Sequence, residues 1–254
     1  MCIVTLHHQN HPVYKLIVAS NRDEFYERPT AQAGFWEDYP YILGGRDLKE
    51  MGTWLGITKQ GRFAVLTNYR DIASERPERK SRGKIVNQFL TSNEEPITLF
   101  EKLQQQRTEY NGFNLIAGTV DDLFHYGNNE RHLTKLQTGT HSISNGSLDA
   151  NWPKTKKAKE MLQTYVQHQQ DIYIEDLFEQ LNDRETAPDP LLPNTGVERD
   201  LERNLSSIFI ENVPNYGTRV STVILVTHNN DVTFVERTYE KGQYADETRF
   251  SFSI

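Results

Sequence analysis

The sequence predicts an α+β fold in which β-strands at both ends of the chain enclose a helical middle. Short apolar or alternating runs bounded by turn residues dominate up to about residue 70, and strand-like runs return after about residue 207. Segments between about 82 and 182 have the length and spacing of helices. This order suggests two sheets packed face to face and covered by helices, but it fits one large mixed sheet equally well.

An N-terminal hairpin is the first predicted element. Residues 2–7 form an apolar run, turn residues follow around His11, and residues 14–20 form a second run. With the turn centred near residue 11, Cys2 is expected opposite residues 19–21. The polar sequence Asn21-Arg22-Asp23-Glu24 is then expected beside Cys2, where the second strand ends.

The remaining elements follow in order, and all 254 residues are expected to form one domain. A second hairpin is predicted from 53–58 and 62–68, and prolines at 188, 190 and 193 indicate a loop. Helices are predicted at about 82–92, 96–109, 154–168 and 172–182, and further strands at about 112–118, 121–126, 140–145, 207–211, 219–227, 232–239 and 249–253.

The composition narrows the classes of function. A net charge of −7 gives no general electrostatic attraction to nucleic acid or to an anionic membrane. The only cysteine, Cys2, excludes an internal disulfide and a multi-cysteine zinc site, and it fits a reducing compartment such as the cytoplasm. No apolar run is long enough for a transmembrane helix, and the N-terminus lacks the pattern of a secretory signal.

Cys2 is the candidate nucleophile. Removal of Met1 places a thiol and an α-amine on one residue, and their pKa values of about 8.5 and 8 let the amine act as the base without a histidine. The alternative is that Cys2 is a small apolar residue of a strand. The neighbouring sequence Asn21-Arg22-Asp23-Glu24 favours catalysis, because a carboxylate can orient an amine and a guanidinium can lower the pKa of a thiol.

Polar residues at other strand ends are candidates for the same site. Asn68 and Asn145 each end an apolar strand, and their amides can stabilise an oxyanion, although asparagine also caps turns. Arg219 precedes the buried-looking run 220–226, where a charge needs a partner. The candidate substrate-binding residues are Glu24, Trp54, Tyr69 and Arg70. No metal site and no cofactor are predicted.

Two weaker signals come from histidines and from basic residues. His7, His8 and His11 cluster near the first turn, where a solvated turn is expected rather than a metal or haem site. A basic segment precedes the first predicted helix, with Ser81 as a cap. It is interpreted as a solvated loop or as a binding site for a phosphate or carboxylate. Its basic residues are Arg76, Arg79, Lys80, Arg82 and Lys84.

A series of short motifs runs in order from residue 2 to about residue 222. The motifs are Met-Cys-Ile at the start, Ser20-Asn21-Arg22-Asp23-Glu24, Gly44-Gly45-Arg46-Asp47, Gly52-Thr53-Trp54-Leu55-Gly56, Thr67-Asn68-Tyr69-Arg70, Ser81-Arg82-Gly83, Ser144-Asn145-Gly146, Trp152-Pro153-Lys154 and Tyr216-Gly217-Thr218-Arg219. This ordered set resembles the NRDE family, also called the transport and Golgi organisation 2 family. That family is similar to N-terminal-nucleophile (Ntn) hydrolases of the choloylglycine hydrolase and penicillin V acylase type.

The resemblance implies a four-layer αββα sandwich with two mainly antiparallel sheets. It also implies a role for each matching residue: Cys2 as the nucleophile, Arg22 and Asp23 beside it, Asn68 and Asn145 at the oxyanion, and Arg219 as a late arginine. In the hydrolases two residues separate the arginine from the aspartate, whereas Arg22 and Asp23 are adjacent. Adjacent strand residues point to opposite faces, so either a bulge intervenes or Glu24 faces Cys2.

Two functions are consistent with the resemblance. The first is an Ntn-type cysteine hydrolase that cleaves the carbon–nitrogen bond of a small-molecule amide, linear or cyclic, with the α-amine of Cys2 as the base. The alternative is a non-catalytic carrier of haem or acyl lipid that keeps the same fold, with a transport or Golgi-organisation role. Neither function predicts a nucleic acid partner or an integral membrane association.

Overall fold

Two antiparallel β-sheets pack face to face between two layers of helices in this computed structural model, which describes residues 2–130 and 132–254. One apolar core lies between the sheets, and each sheet packs a second core against helices on its outer face. The four-layer αββα arrangement that the family resemblance implied is therefore confirmed, and a single mixed sheet is excluded.

The strands, numbered along the chain, are β1 (Cys2–His8), β2 (Tyr14–Phe25), β3 (Thr30–Phe35), β4 (Ile42–Asp47), β5 (Leu55–Thr58), β6 (Arg62–Asn68), β7 (Phe113–Thr119), β8 (Leu123–Gly127), β9 (Leu133–Lys135), β10 (Gly139–Ile143), β11 (Tyr216–Thr227), β12 (Asp231–Glu240) and β13 (Gln243–Ser253). The first sheet has the order β10-β1-β2-β11-β12-β13, and the second runs from β3 to β9 in sequence order. The N-terminal strand β1 thus lies inside the first sheet, between β10 and β2.

The helices are α1 (Gly83–Thr91), α2 (Pro96–Gln105), α3 (Pro153–His168), α4 (Ile174–Leu181) and α5 (Arg199–Asn204). Helices α1 and α2 cover the second sheet, whereas α3 and α4 cover the first. Helix α1 shows why these segments are helical, since its buried residues Ile85, Val86, Phe89 and Leu90 recur at the spacing of one helix face. Within the described residues, no helix has the length and apolar character needed to span a bilayer.

Strand alternation decides which side chains reach the inter-sheet core. Val4 and Leu6 pack between the sheets, while Ile3 packs against the helices of the first sheet. The same rule places Ile17 on the helix side of β2 and Val18 between the sheets. Residues 2, 20, 22 and 24 therefore share the inter-sheet face at the end of the first hairpin.

The first hairpin differs from its prediction in register and in length. Cys2 pairs with Arg22 rather than with residues 19–21. Strand β2 also continues through the polar motif, because its other edge pairs with β11 as far as Phe25 opposite Tyr216. The motif therefore lies inside a strand, and the sheet holds its side chains in place.

Other segments were also predicted incorrectly. Strands β3 and β4 were missed; in β4, a Cβ on Gly44 would lie 2.6 Å from the carbonyl oxygen of Leu55, so close packing requires the glycine there. The run 207–211 is buried but irregular, since its Ile210 N–H donates to the side chain of Thr218 at 2.9 Å. The short helix α5 was also missed.

Candidate functional site

The β1–β2 pairing brings Cys2 and Arg22 together at one end of the first sheet. The two residues are direct partners across the ladder, and their side chains share the inter-sheet face. Glu24 lies on this same face by alternation, and its carboxylate is 3.7 Å from the Arg22 guanidinium. The acid that shares the face of Cys2 is thus Glu24. The sequence left a bulge between Arg22 and Asp23 as the alternative. The described β1–β2 pairing contains no such bulge, since its register is continuous.

Cys2 lines a cavity of about 340 Å³ at this end of the sheets. The thiol-bearing residue is half-buried, and Arg22, Glu24, Trp54 and Asn68 also line the cavity. A volume of this size suits a small molecule. With Asp23, which also lines it, six of the residues predicted for the site meet around this cavity.

Arg22 is held rigidly beside Cys2. Its guanidinium carbon lies 4.3 Å from the centroid of the Trp54 ring, and its Nη1 donates to the Thr30 hydroxyl at 3.0 Å. Only 5% of its surface is exposed. A cation stacked on an aromatic face and hydrogen-bonded in this way has little rotamer freedom, so its charge stays close to the sulfur.

Burial has the largest effect on the pKa of the Cys2 thiol. Burial and the Asp23 carboxylate raise the pKa of Cys2, while Arg22 and a hydrogen bond from the Asp23 backbone lower it, and the net direction is upward. A thiol with a raised pKa is mostly protonated at neutral pH, and it needs a base at the moment of attack. The site therefore fits an amine-assisted thiol better than a preformed thiolate.

Asp23 lines the cavity, but its carboxylate lies on the opposite face of β2, toward α3. Its carboxylate accepts a hydrogen bond from Thr218 at 2.7 Å. Burial raises the pKa of Asp23, and the Lys154 ammonium lowers it. Lys154 is 3% exposed, and burial lowers its own pKa to about 8. A buried carboxylate and a buried ammonium thus lie directly behind the sheet that carries Cys2.

Asn68 and Asn145 are not equivalent in the structure. Asn68 ends β6 and lines the cavity. Asn145 is fully buried, and its Nδ2 donates to the main-chain carbonyl of Asn68 at 2.8 Å, while its oxygen lies 3.2 Å from the Ser144 hydroxyl. Its amide therefore ties the end of β6 to the β10 side of the first sheet and lies outside the cavity lining.

Arg219 occupies a bulge in β11. The pairing with β2 shifts there, since Thr218 opposes Asp23 while Val220 opposes Arg22. The Arg219 guanidinium donates to the carbonyl oxygens of Phe25, Tyr26 and Arg28 at 3.0 to 3.2 Å. The partner that its charge was expected to need is thus a set of backbone carbonyls, and Arg219 holds the loop that follows β2.

Tyr69 and Arg70, predicted as substrate-binding residues, lie apart from the cavity. Arg70 forms a buried ion pair with Glu202, and its guanidinium carbon is 5.4 Å from the Trp152 ring. The Tyr69 N–H donates to Gly112 at 2.9 Å. Both residues continue β6 into the surrounding structure, and Arg70 is occupied by its ion pair.

Several residues that lie at or near the site were not among the predicted site residues. The segment with Arg79, Lys80 and Arg82 lines the cavity, although a solvated loop was one interpretation of it. Arg28 also lines the cavity, paired with Asp47 at 2.6 Å. The motifs marked Asp47, Arg82 and Lys154, and the basic composition of the segment marked Arg79 and Lys80, but neither signal reveals which residues meet around the cavity.

The histidine cluster is buried, so the expected solvated turn is wrong. His7, His8 and His11 are each at most 4% exposed. His7 Nδ1 lies 2.7 Å from the Thr140 hydroxyl, and His11 Nδ1 accepts the N–H of Val13 at 3.2 Å. These contacts stabilise the first hairpin. In the described part of the chain, no group of three potential metal-ligating side chains converges on a metal site.

Comparisons with known proteins agree with this geometry. The model of the family described as "Transport and Golgi organisation 2" matches residues 1–241. The Transport and Golgi organization protein 2 homologs of Bos taurus and Homo sapiens are 38% and 37% identical, and each alignment covers 93% of this chain and 92% of the relative. Among solved structures, the C2A mutant of a conjugated bile acid hydrolase from Clostridium perfringens matches with a TM-score of 0.53 at 10% identity, covering 100% of this chain and 92% of the other. That likeness places the chain in the Ntn-hydrolase fold.

Proposed function

The chain belongs to the Transport and Golgi organisation 2 family, and from its site we propose that it is an Ntn-type cysteine hydrolase that cleaves an amide bond of a small molecule. The observation that carries the proposal is the direct pairing of Cys2 with Arg22 on the wall of a cavity of about 340 Å³. The single cysteine of the chain is thus next to a fixed cation, in a space suited to a small substrate.

The proposed mechanism begins once Met1, which lies outside the described residues, has been removed. The α-amine of Cys2 takes the proton from its thiol, and the sulfur attacks the amide carbonyl carbon. Asn68 donates to the oxyanion that forms, and Arg22 stabilises the negative charge on sulfur. The amine then protonates the leaving nitrogen, and water hydrolyses the thioester that remains on Cys2.

Residues in the cavity wall and behind it support these steps. Glu24 balances the charge of Arg22, and Asp23 with Lys154 provides charges close to the amine of Cys2. Asn145 fixes Asn68 through its hydrogen bond to the carbonyl, so it acts as a positioning residue in this mechanism. Arg219 fixes the loop after Glu24. The single cysteine fits the cytoplasm as the proposed compartment.

The cavity favours a hydrolase over a carrier of haem or acyl lipid. Most of its lining side chains are charged or polar, and Trp54, Leu66 and Pro77 are its larger apolar contributors. A haem or an acyl chain is bound best by a predominantly apolar lining. A polar amide substrate is the better match.

A strained cyclic amide tests the mechanism directly. A β-lactam should acylate Cys2 and raise the intact mass of the Met1-free protein by the full mass of the reagent. In a separate test, Cys2→Ser should abolish amide turnover with a nearly unchanged melting temperature. A matched form that retains Met1 keeps the thiol but locks its nitrogen in a peptide bond, so it should not be acylated. Equal acylation of both forms would exclude the amine as the base, and an unchanged turnover in Cys2→Ser would exclude the mechanism. A haem absorption band that persists in Cys2→Ala would favour the carrier instead.

A further inference from the structure

The segment that precedes α1 forms one wall of the cavity that Cys2 lines. Arg79, Lys80 and Arg82 all contribute to this wall. A hydrogen bond to a neighbouring segment fixes the backbone here, because the Lys80 N–H donates to the Glu109 carbonyl at 2.9 Å. The segment therefore has a fixed backbone beside the cavity.

Several charged groups around this cavity form ion pairs, but the guanidinium groups of Arg79 and Arg82 do not. In the described ranges 2–130 and 132–254, no carboxylate oxygen lies within 4.0 Å of the guanidinium nitrogens of Arg79 or Arg82. The paired groups are Arg22 with Glu24, Arg28 with Asp47, Lys80 with Glu109, and Glu50 with Lys84. The cavity wall thus carries two guanidinium charges that no neighbouring acid neutralises at contact distance.

Each of these two guanidinium groups is oriented by a backbone carbonyl. Arg79 donates to Tyr110 at 3.2 Å, and Arg82 donates to Gly112 at 3.0 Å. A guanidinium has five N–H donors, so each group retains donors for a ligand. Burial lowers the pKa of Arg82, and the Glu75 and Glu24 carboxylates oppose this shift.

We propose that Arg79 and Arg82 form an anion subsite in the Cys2 cavity, and that the substrate is a small amide carrying a carboxylate or a phosphate. The planar fork of a guanidinium matches both oxyanions, and two such forks hold one anion in a defined orientation. The anion would then place the scissile amide over Cys2. This inference rests on the proposed function for its consequence in catalysis.

Matched electrophiles of different charge test the subsite without knowledge of the natural substrate. The probes are N-bromoacetylglycine, its neutral analogue N-bromoacetylglycinamide, and N-bromoacetyl-phosphoethanolamine. In each case the Cys2 sulfur displaces bromide and forms a thioether, which intact mass and peptide fragmentation assign because the chain has one cysteine. Each rate constant is divided by that of the same probe with N-acetylcysteine, which removes differences in intrinsic reactivity.

We expect one or both anionic probes to react with Cys2 about tenfold faster than the neutral probe after this correction. The carboxylate and phosphate probes together show which oxyanion the subsite prefers. Arg79→Gln with Arg82→Gln should remove the preference, and Arg82→Lys, which keeps the charge but loses the fork, should retain part of it. Arg76→Gln is the matched control, because Arg76 belongs to the same segment, is exposed, and bonds to the carbonyls of Ala73 and Glu75.

Equal corrected rates for all probes, or a preference that persists in the double variant, would overturn the subsite while leaving the proposed hydrolase intact. A Cys2 that no probe modifies would count against the hydrolase. The subsite is then tested separately by calorimetry on Cys2→Ala, which should bind N-acetylglycine or phosphoethanolamine more tightly than N-acetylglycinamide. Melting curves of each variant identify any loss of folding, and Arg82→Lys provides the decisive comparison if the double variant does not fold.

Discussion

Lys154 should cost the protein stability at neutral pH, and Lys154→Met should recover it. The ammonium is 3% exposed, and its Nζ has no hydrogen-bond partner among the described residues. Burial lowers its pKa from 10.5 to about 8, although Asp23 opposes the shift. This depression corresponds to roughly 3 kcal/mol of unfolding free energy that is lost while Lys154 is protonated.

The sign of the pH dependence follows from the direction of this shift. Between the folded and the unfolded pKa, the unfolded chain binds the proton and the folded chain does not, so stability rises with pH in this window. Wild type should therefore gain about 2 kcal/mol from Lys154 between about pH 7 and about pH 9.5, and Lys154→Met should lack this gain.

Urea unfolding at several pH values measures the difference between the two proteins. Titration of other groups contributes to both curves, so the advantage of Lys154→Met should be largest near pH 7 and should shrink as the pH rises. Lys156→Met is the matched control, since it removes an exposed charge from the same helix and should change stability little at any pH. An advantage that stays constant from pH 7 to pH 9.5 would refute the account of Lys154 as a poorly solvated cation.

Two further buried charges give related predictions. Burial raises the pKa of Glu236 from 4.5 to about 7, so Glu236→Gln should be more stable than wild type at pH 8 and should melt at a higher temperature. The difference in unfolding free energy should reach about 3 kcal/mol at pH 8 and should shrink toward pH 5. A difference that grows on acidification would contradict this. Arg70→Met should lose about 3–5 kcal/mol in urea unfolding because it leaves the Glu202 carboxylate unpaired, and adding Glu202→Leu should restore part of the loss; a double variant less stable than Arg70→Met would argue against an unpaired charge as the cause.

Apolar spacing allowed the first hairpin to be predicted, whereas the four-layer arrangement was implied only by the family resemblance. Runs such as 2–7 and 14–20 reveal strands by composition alone, and the alternation of Ile3 and Val4 between two cores follows from the pleat. The pairing register of β1 and β2 was harder to predict. The Cys2–Arg22 pairing depends on the length of the turn and on β11 pairing with the polar end of β2, and neither can be derived from the hairpin sequence itself.

The polar residues were harder to place than the strands. Asn68 and Asn145 are chemically identical and both follow apolar strands, yet one lines the cavity and the other donates its amide to the backbone of the first. Arg79 and Arg82 belong to a segment that looks like a solvated loop, and only the tertiary fold shows that it borders the cavity. Sequence patterns identify residues that need partners, but the partners come from strands distant in the chain.

The cavity combines side chains from two sheets that share no hydrogen-bonded edge. Cys2 is supplied by β1 of the first sheet, and Asn68 by β6 of the second. The separation between these two side chains is therefore governed by the thickness of the apolar layer beneath them, which includes Val4 and Val65. Because packed interiors transmit small changes in volume, a methyl group added or removed in that layer would alter the reactivity of the sulfur without touching the cavity. Natural variants that look purely structural at such positions would then act as tuning sites for chemistry.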